Sequence, residues 1–159
     1  MPTKATSSSS PAAQLAGFVA KYDPAVGRLV RATRAAMRKR FPTAVELVYD
    51  NYQFLAIGYS ATDRPSDCIA SLAVSPRSVA LSFYYGSTLP DPRGVLQGSG
   101  NQNRFVRLSS AATLAEPAVA DLLRAATAQA RTPMPMRGAG HTVIKSISAT
   151  QRPRRAAAR

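Results

Sequence analysis

The stretch from residue 91 to residue 108 carries the densest candidate chemistry in the chain. Gly94, Gly98 and Gly100 lie within seven positions, with Arg93 before them and Arg104 after them. Glycines at positive φ can turn successive amides into one concavity, and two flanking guanidinium groups add charge beside it, so the pattern is that of an anion-binding turn. It is not the phosphate loop of nucleotide hydrolases, which needs G-x-x-x-x-G-K-S/T, because the position five after Gly94 is Ser99. Nor is it a dinucleotide fingerprint, since Gly98-x-Gly100 is followed by Asn103 and then by a strand-like run instead of a helix. The same residues also read as a compact connection in which glycines permit left-handed turns and Arg104 bonds loop carbonyls or Asp91.

Other reactive types are sparse. His141 is the only histidine and falls in a Pro/Gly linker, and Cys68 is the only cysteine, inside the apolar run CIASLAV. No Cys/His cluster can therefore build a zinc or haem site, and Cys68 reads as a small core residue. No nucleophile is paired with a base of suitable pKa, so the chain is expected not to be an enzyme and to need no cofactor. Hard cations would depend on carboxylates. These are scattered as Asp23, Glu46, Asp50, Asp63, Asp67, Asp91, Glu116 and Asp121, with Glu46/Asp50 and Asp63/Asp67 the only close pairs. Tyr49, Tyr52, Tyr59, Tyr84 and Tyr85 sit at strand positions, where tyrosine packs half-buried more often than it serves as a stacking platform.

Charge is the most unusual bulk property. Lys and Arg number 21 against 8 Asp and Glu, for a net charge of +13. Such a surplus points to polyanions, although arginine outnumbers lysine 17 to 4, a bias that genome base composition also produces. Two clusters are candidate nucleic-acid contacts. Arg31, Arg34 and Arg38 line up on one helix face, and Arg152, Arg154, Arg155 and Arg159 form a basic tail. Contacts from these would be to phosphates without sequence preference, since no helix-turn-helix, RNA-recognition or zinc-finger pattern is present. A solvated helix face and a solubilising tail are the plainer alternative.

The elements that position these groups are legible. At 159 residues and 45% hydrophobic content the chain supports one domain with tails. Residues 1–11 are Ser/Thr/Pro/Ala-rich and are expected to be disordered, residues 12–130 to form the domain, and residues 131–159 to be a Pro/Gly linker and basic tail that adds a strand at 141–148. Leu15, Phe18, Val19 and Tyr22 have helical spacing. Asp23-Pro24 then caps a second helix running to about Arg40, with Val26, Leu29, Val30, Thr33 and Met37 on its packed face. Pro42 ends it. The runs AVELVYD, QFLAIGYS, CIASLAVS and VALSFYYG follow, joined by short turns that favour an antiparallel meander, with RFVRL as a further strand. Val119, Leu122, Leu123 and Ala126 predict a closing helix. The expected fold class is α+β, two-layer, with a mainly antiparallel sheet and helices packed on one face around a purely apolar interior. The start MPTKATSSSSPAAQ lacks the apolar stretch of a secretory signal, and no run of about 18 apolar residues could span a bilayer, so a cytoplasmic protein without membrane association is expected.

The order RKRFPTAVELVYDNY, strands, LPDPRGVLQGSGNQNR, a short helix and TVIKSISATQRPRR resembles the YdhG-like family, also called domain of unknown function 1801. The resemblance covers roughly residues 15–130, and VIKSISATQRPRR is similar to the tail of one bacterial subgroup. Family members typically carry a lysine just after the second glycine of the loop, where this chain has Asn101. The resemblance implies a small cytoplasmic domain without established activity. For some members it implies a frataxin-like intracellular iron chaperone. That role uses an acidic helix face, whereas here the early helix is arginine-rich, with no carboxylate between Asp23 and Glu46. The functional expectation is a non-enzymatic binding or accessory module, with nucleic-acid binding and iron handling as alternatives.

Overall fold

Proline opens each of the three helices, where its missing amide would have had no partner and its fixed φ suits the first turn. The computed structural model describes residues 9–156 and places α1 at Pro11–Ala20, α2 at Pro24–Arg40 and α3 at Pro117–Gln129. Ser10 caps α1, its hydroxyl accepting from the Ala13 amide at 3.1 Å. The expected disorder of residues 1–11 is thereby corrected at its end: Pro11 is already helical because Ser10 supplies the cap, and residues 1–8 lie outside those described. Asp23 occupies the N-cap position of α2 without making a capping bond.

Six strands follow the alternation: β1 Val45–Asp50, β2 Leu55–Ser60, β3 Cys68–Ser75, β4 Ser78–Phe83, β5 Arg104–Leu108 and β6 His141–Ile147. Their order in the sheet is β5-β4-β3-β2-β1-β6. The first five form a continuous antiparallel meander, as the short connections require. β6 pairs parallel to β1, because the chain crosses over through α3 before returning. His141 is thus not in the linker but the first residue of an edge strand, which spans nearly the stretch 141–148 expected to add one.

The helices cover one face of the sheet. Leu55, Ile57, Leu72, Val74, Val79 and Leu81 meet Leu15, Val30, Met37, Val119 and Leu123 in one buried cluster. Tyr22 closes the seam between layers by donating its hydroxyl to the Val74 carbonyl at 3.0 Å. On the opposite face the alternate positions of β2, β3 and β4 are small, among them Ala56, Gly58, Ser71, Ala73 and Ala80.

Entry into β6 depends on one glycine. The Gly140 amide donates to the Pro42 carbonyl at 2.9 Å, and a Cβ there would collide with the Ala44 carbonyl, which cannot yield as a flexible side chain would. Gly140→Ala is expected to lower stability by about 1–3 kcal/mol, read from the urea midpoint, by displacing the strand that covers the β1 edge.

Candidate functional site

Strand β1 presents Glu46, Val48 and Asp50 toward the helices, by its two-residue period. Two of these three are carboxylates, and both are buried: Glu46 is 2% exposed and Asp50 is fully enclosed. The expectation of a purely apolar interior is therefore overturned. The acids can be buried because arginines reach them, which a buried charge requires.

Asp50 is the larger hub. Its two carboxylate oxygens face Lys21 Nζ at 2.6 Å and Arg154 Nη2 at 2.9 Å. Arg154 is itself 5% exposed, also donates to the Asn51 carbonyl, and lies over the Tyr22 ring at 5.9 Å. Gln151 donates to the Asp50 carbonyl at 3.0 Å and accepts from Lys21 at 2.8 Å, while the Arg152 amide bonds the Tyr52 carbonyl. The segment expected as a free basic tail is in fact tied to the turn after β1. Arg154 therefore turns into the fold onto Asp50 and is not among the surface arginines of the tail, where it was expected. Arg155 is exposed but faces Asp23 at 3.7 Å, Arg152 remains at the surface, and Arg159 lies outside the described residues.

Glu46 forms the second hub. Arg34 grips it with two bonds, Nε to Oε2 at 3.0 Å and Nη2 to Oε1 at 2.9 Å, and Tyr59 and Thr142 hydroxyls each donate at 2.8 Å. Arg34 was expected on the wet face of α2 with Arg31 and Arg38. It instead turns toward the sheet, because its helical angle borders the packed stripe and a buried carboxylate waits there.

Burial pushes the Glu46 carboxyl up, but the Arg34, Thr142 and Tyr59 bonds outweigh it and hold the group below its ordinary value. Asp50 is held down in the same way, with Lys21, Gln151 and Arg154 prevailing over burial. For carboxylates whose folded pKa lies below the unfolded one, the stability they contribute is complete above the unfolded value of about 4 and is lost as pH falls through the folded value. Urea midpoints measured against pH should therefore drop on acidification below about pH 4, and the drop should be shallower in Asp50→Asn.

With the acids drawn inward, the outside is left cationic. Asp23, Glu46, Asp50, Asp67 and Asp121, five of the eight acids, stand in ion pairs. On α2, Arg28, Arg31, Arg38 and Lys39 are exposed and, among the described residues, have no acidic partner. At 3.6 residues per turn these four fall within an arc of about 100°. Arg38, Lys39 and Arg40 occupy the last turn, where cations suit the helix dipole. Arg40 also donates to the Ala120 carbonyl of α3 at 3.3 Å; burial and the neighbouring Arg124 lower its pKa.

The glycine-rich segment is not assembled as an anion cradle. Gly94 and Gly98 have positive φ, 64° and 114°, whereas Gly100 does not. The amides of Gly94, Val95 and Leu96 all donate to Asp91, and Gln97 pairs with Phe105. Arg104 Nη1 donates to the Gly100 and Asn103 carbonyls at 2.6 and 2.8 Å, so its charge closes the loop. Of the two arginines expected to flank an anion, Arg104 is thus committed to the loop, and Arg93 is exposed with no side-chain partner among the described residues.

Among the described residues, no three His, Cys, Asp or Glu side chains converge as metal ligands. Glu46 and Asp50 are each closed by arginine, while Asp67 accepts from Thr62 at 2.7 Å, Thr132 at 2.9 Å and Arg64. Cys68 is half-buried, and burial raises its thiol, away from the thiolate form a nucleophile needs. Tyr59 is buried on Glu46, Tyr49 is half-buried, and Tyr52, Tyr84 and Tyr85 are exposed. No described helix is long and apolar enough to cross a membrane.

No protein-family model, curated protein or solved structure matches this chain. Sequence reasoning missed Arg28 and Lys39 as members of the exposed arc, although at about 100° per residue positions 28, 31, 38 and 39 share one side of the helix. It also missed the carboxylate hubs, whose only trace is an acid at each end of VELVYD.

Proposed function

We propose that this protein is a non-enzymatic binding module that takes polyanions, single-stranded nucleic acid in particular, on the outer face of α2. The observation that carries this reading is the arc of Arg28, Arg31, Arg38 and Lys39, which no carboxylate neutralises among the described residues. A folded domain that had no use for positive potential would be expected to intersperse acids on such a face, because like charges at helical spacing destabilise the helix. The lone histidine on an exposed edge strand and the raised Cys68 thiol support a role without catalysis. In this reading the YdhG-like resemblance concerns a domain of that kind whose early helix is basic, which disfavours iron.

The variants Arg31→Ala and Arg38→Ala test the assignment in a fluorescence-anisotropy titration with a labelled thymidine oligonucleotide. Each is expected to make the plot of log K against log salt shallower by about 0.7 while leaving the unfolding midpoint unchanged, as for one lost phosphate contact to a single strand. Unaltered slopes in both would remove α2 as the contact surface.

A further inference from the structure

A cleft of about 560 Å³ opens at the end of the sheet opposite Asp50, between the start of β3, the end of β4 and the C-terminal turn of α3. Its volume lies within the range of about 300–1,000 Å³ that small-molecule sites occupy. Ile69, Phe83, Leu89 and Ala126 supply an apolar floor. Tyr85, 39% exposed, lines the cleft with its neighbour Tyr84 set edge-on at 4.8 Å, and Thr88 and Gln129 hydrogen-bond one another at 3.1 Å beside it.

The charge of the cleft is set by Arg64, Arg131 and Asp67. Asp67 is the only carboxylate lining it. Both its oxygens already accept bonds, from Thr62 and Arg64 on one and Thr132 on the other, so it repels little and mainly anchors the two segments that carry the arginines. Arg131 is exposed and, among the described residues, has neither a carboxylate nor a carbonyl partner. An apolar floor with an aromatic edge and an uncommitted guanidinium at the mouth matches one ligand chemistry: a flat ring to cover the floor, carrying an anionic group for Arg131.

We propose that this cleft binds a small anionic molecule with a planar ring body, at a site separate from α2. A mononucleotide and an aromatic carboxylate share that chemistry. The site is independent of the polyanion reading, since its residues belong to other elements.

The test is a ¹⁵N–¹H correlation titration of the full chain with adenosine monophosphate and, in a second series, with indole-3-acetate. Saturable shifts are expected at the amides of Ile69, Phe83, Thr88, Ala126 and Thr132 in at least one series, and the responding series identifies the source of the ring. Arg131→Glu should weaken that binding at least tenfold, and Gln129→Trp, which narrows the cleft from its rim, should abolish it, with spectra otherwise those of a folded protein. Two results overturn the proposal: shifts confined to α2 or absent in both series at millimolar ligand, and an Arg131→Glu protein that binds as well as the parent.

Discussion

Asp50→Ala is expected to destabilise the protein by about 3–5 kcal/mol, the usual cost of removing one partner from a buried ion pair. The loss comes mainly from what remains behind. Arg154, 5% exposed, would keep its charge with only the Asn51 and Tyr52 carbonyls to face, and its Nε already lacks a hydrogen-bond partner. Lys21 can swing into solvent, being 40% exposed, so its contribution is smaller. Against a typical total of about 5–15 kcal/mol the effect is large enough to bring the domain near unfolding at room temperature. Urea denaturation followed by circular dichroism measures it. Arg154→Ala should cost less than Asp50→Ala, because Asp50 retains Lys21 and the alanine leaves no charge without a partner. A loss below about 1 kcal/mol in Asp50→Ala would mean that the C-terminal segment is not anchored as described.

Arg34→Ala is the second large effect. It leaves Glu46 with only the hydroxyls of Tyr59 and Thr142, in a site where burial already pushes the carboxyl up. About 3 kcal/mol should be lost at neutral pH, and the acid should regain much of it by protonating. The pH profile therefore inverts in sign for this group: with Arg34 present, falling pH weakens Glu46's contribution, and without it falling pH relieves a buried charge. Arg34→Ala should thus gain stability between neutral pH and about pH 5, a range over which Glu46 leaves the parent's stability unchanged. A variant with unchanged stability would place Arg34 on the wet face after all.

The contrast between these two arginines and the four cations on the outer arc marks how far the sequence could be read. The strands announced themselves through β-branched alternation, and the helices through proline starts and the stripe of Val26, Val30 and Met37. The meander followed from turns too short to hold a crossover. What the residues did not disclose was which face of β1 looks inward. In VELVYD alternation alone favours Val45, Leu47 and Tyr49 for the core, yet Glu46, Val48 and Asp50 face the helices. The choice is made by partners far away in the chain, Arg34 from α2, Thr142 from β6 and Arg154 from the last described residues, and no local pattern encodes them. For the same reason RPRR reads as a solvated tail until Asp50 is placed beside it. The glycine-rich loop was ambiguous from the start, and Asp91 decided it by taking the amides an anion would have needed.

The inward placement of the acids also governs how binding experiments must be designed. A chain cut after residue 130 would lose β6 and Arg154 together, exposing the β1 edge and leaving Asp50 with Lys21 alone. Point substitutions on α2 in the full chain are the cleaner probe. The most direct measurement is the salt dependence of oligonucleotide binding by the unaltered protein. Four phosphate contacts from Arg28, Arg31, Arg38 and Lys39 should give log K falling linearly with log salt at a slope of about −3. Binding that is absent at low salt, or that persists undiminished as salt rises, would contradict the assignment of this surface to polyanions.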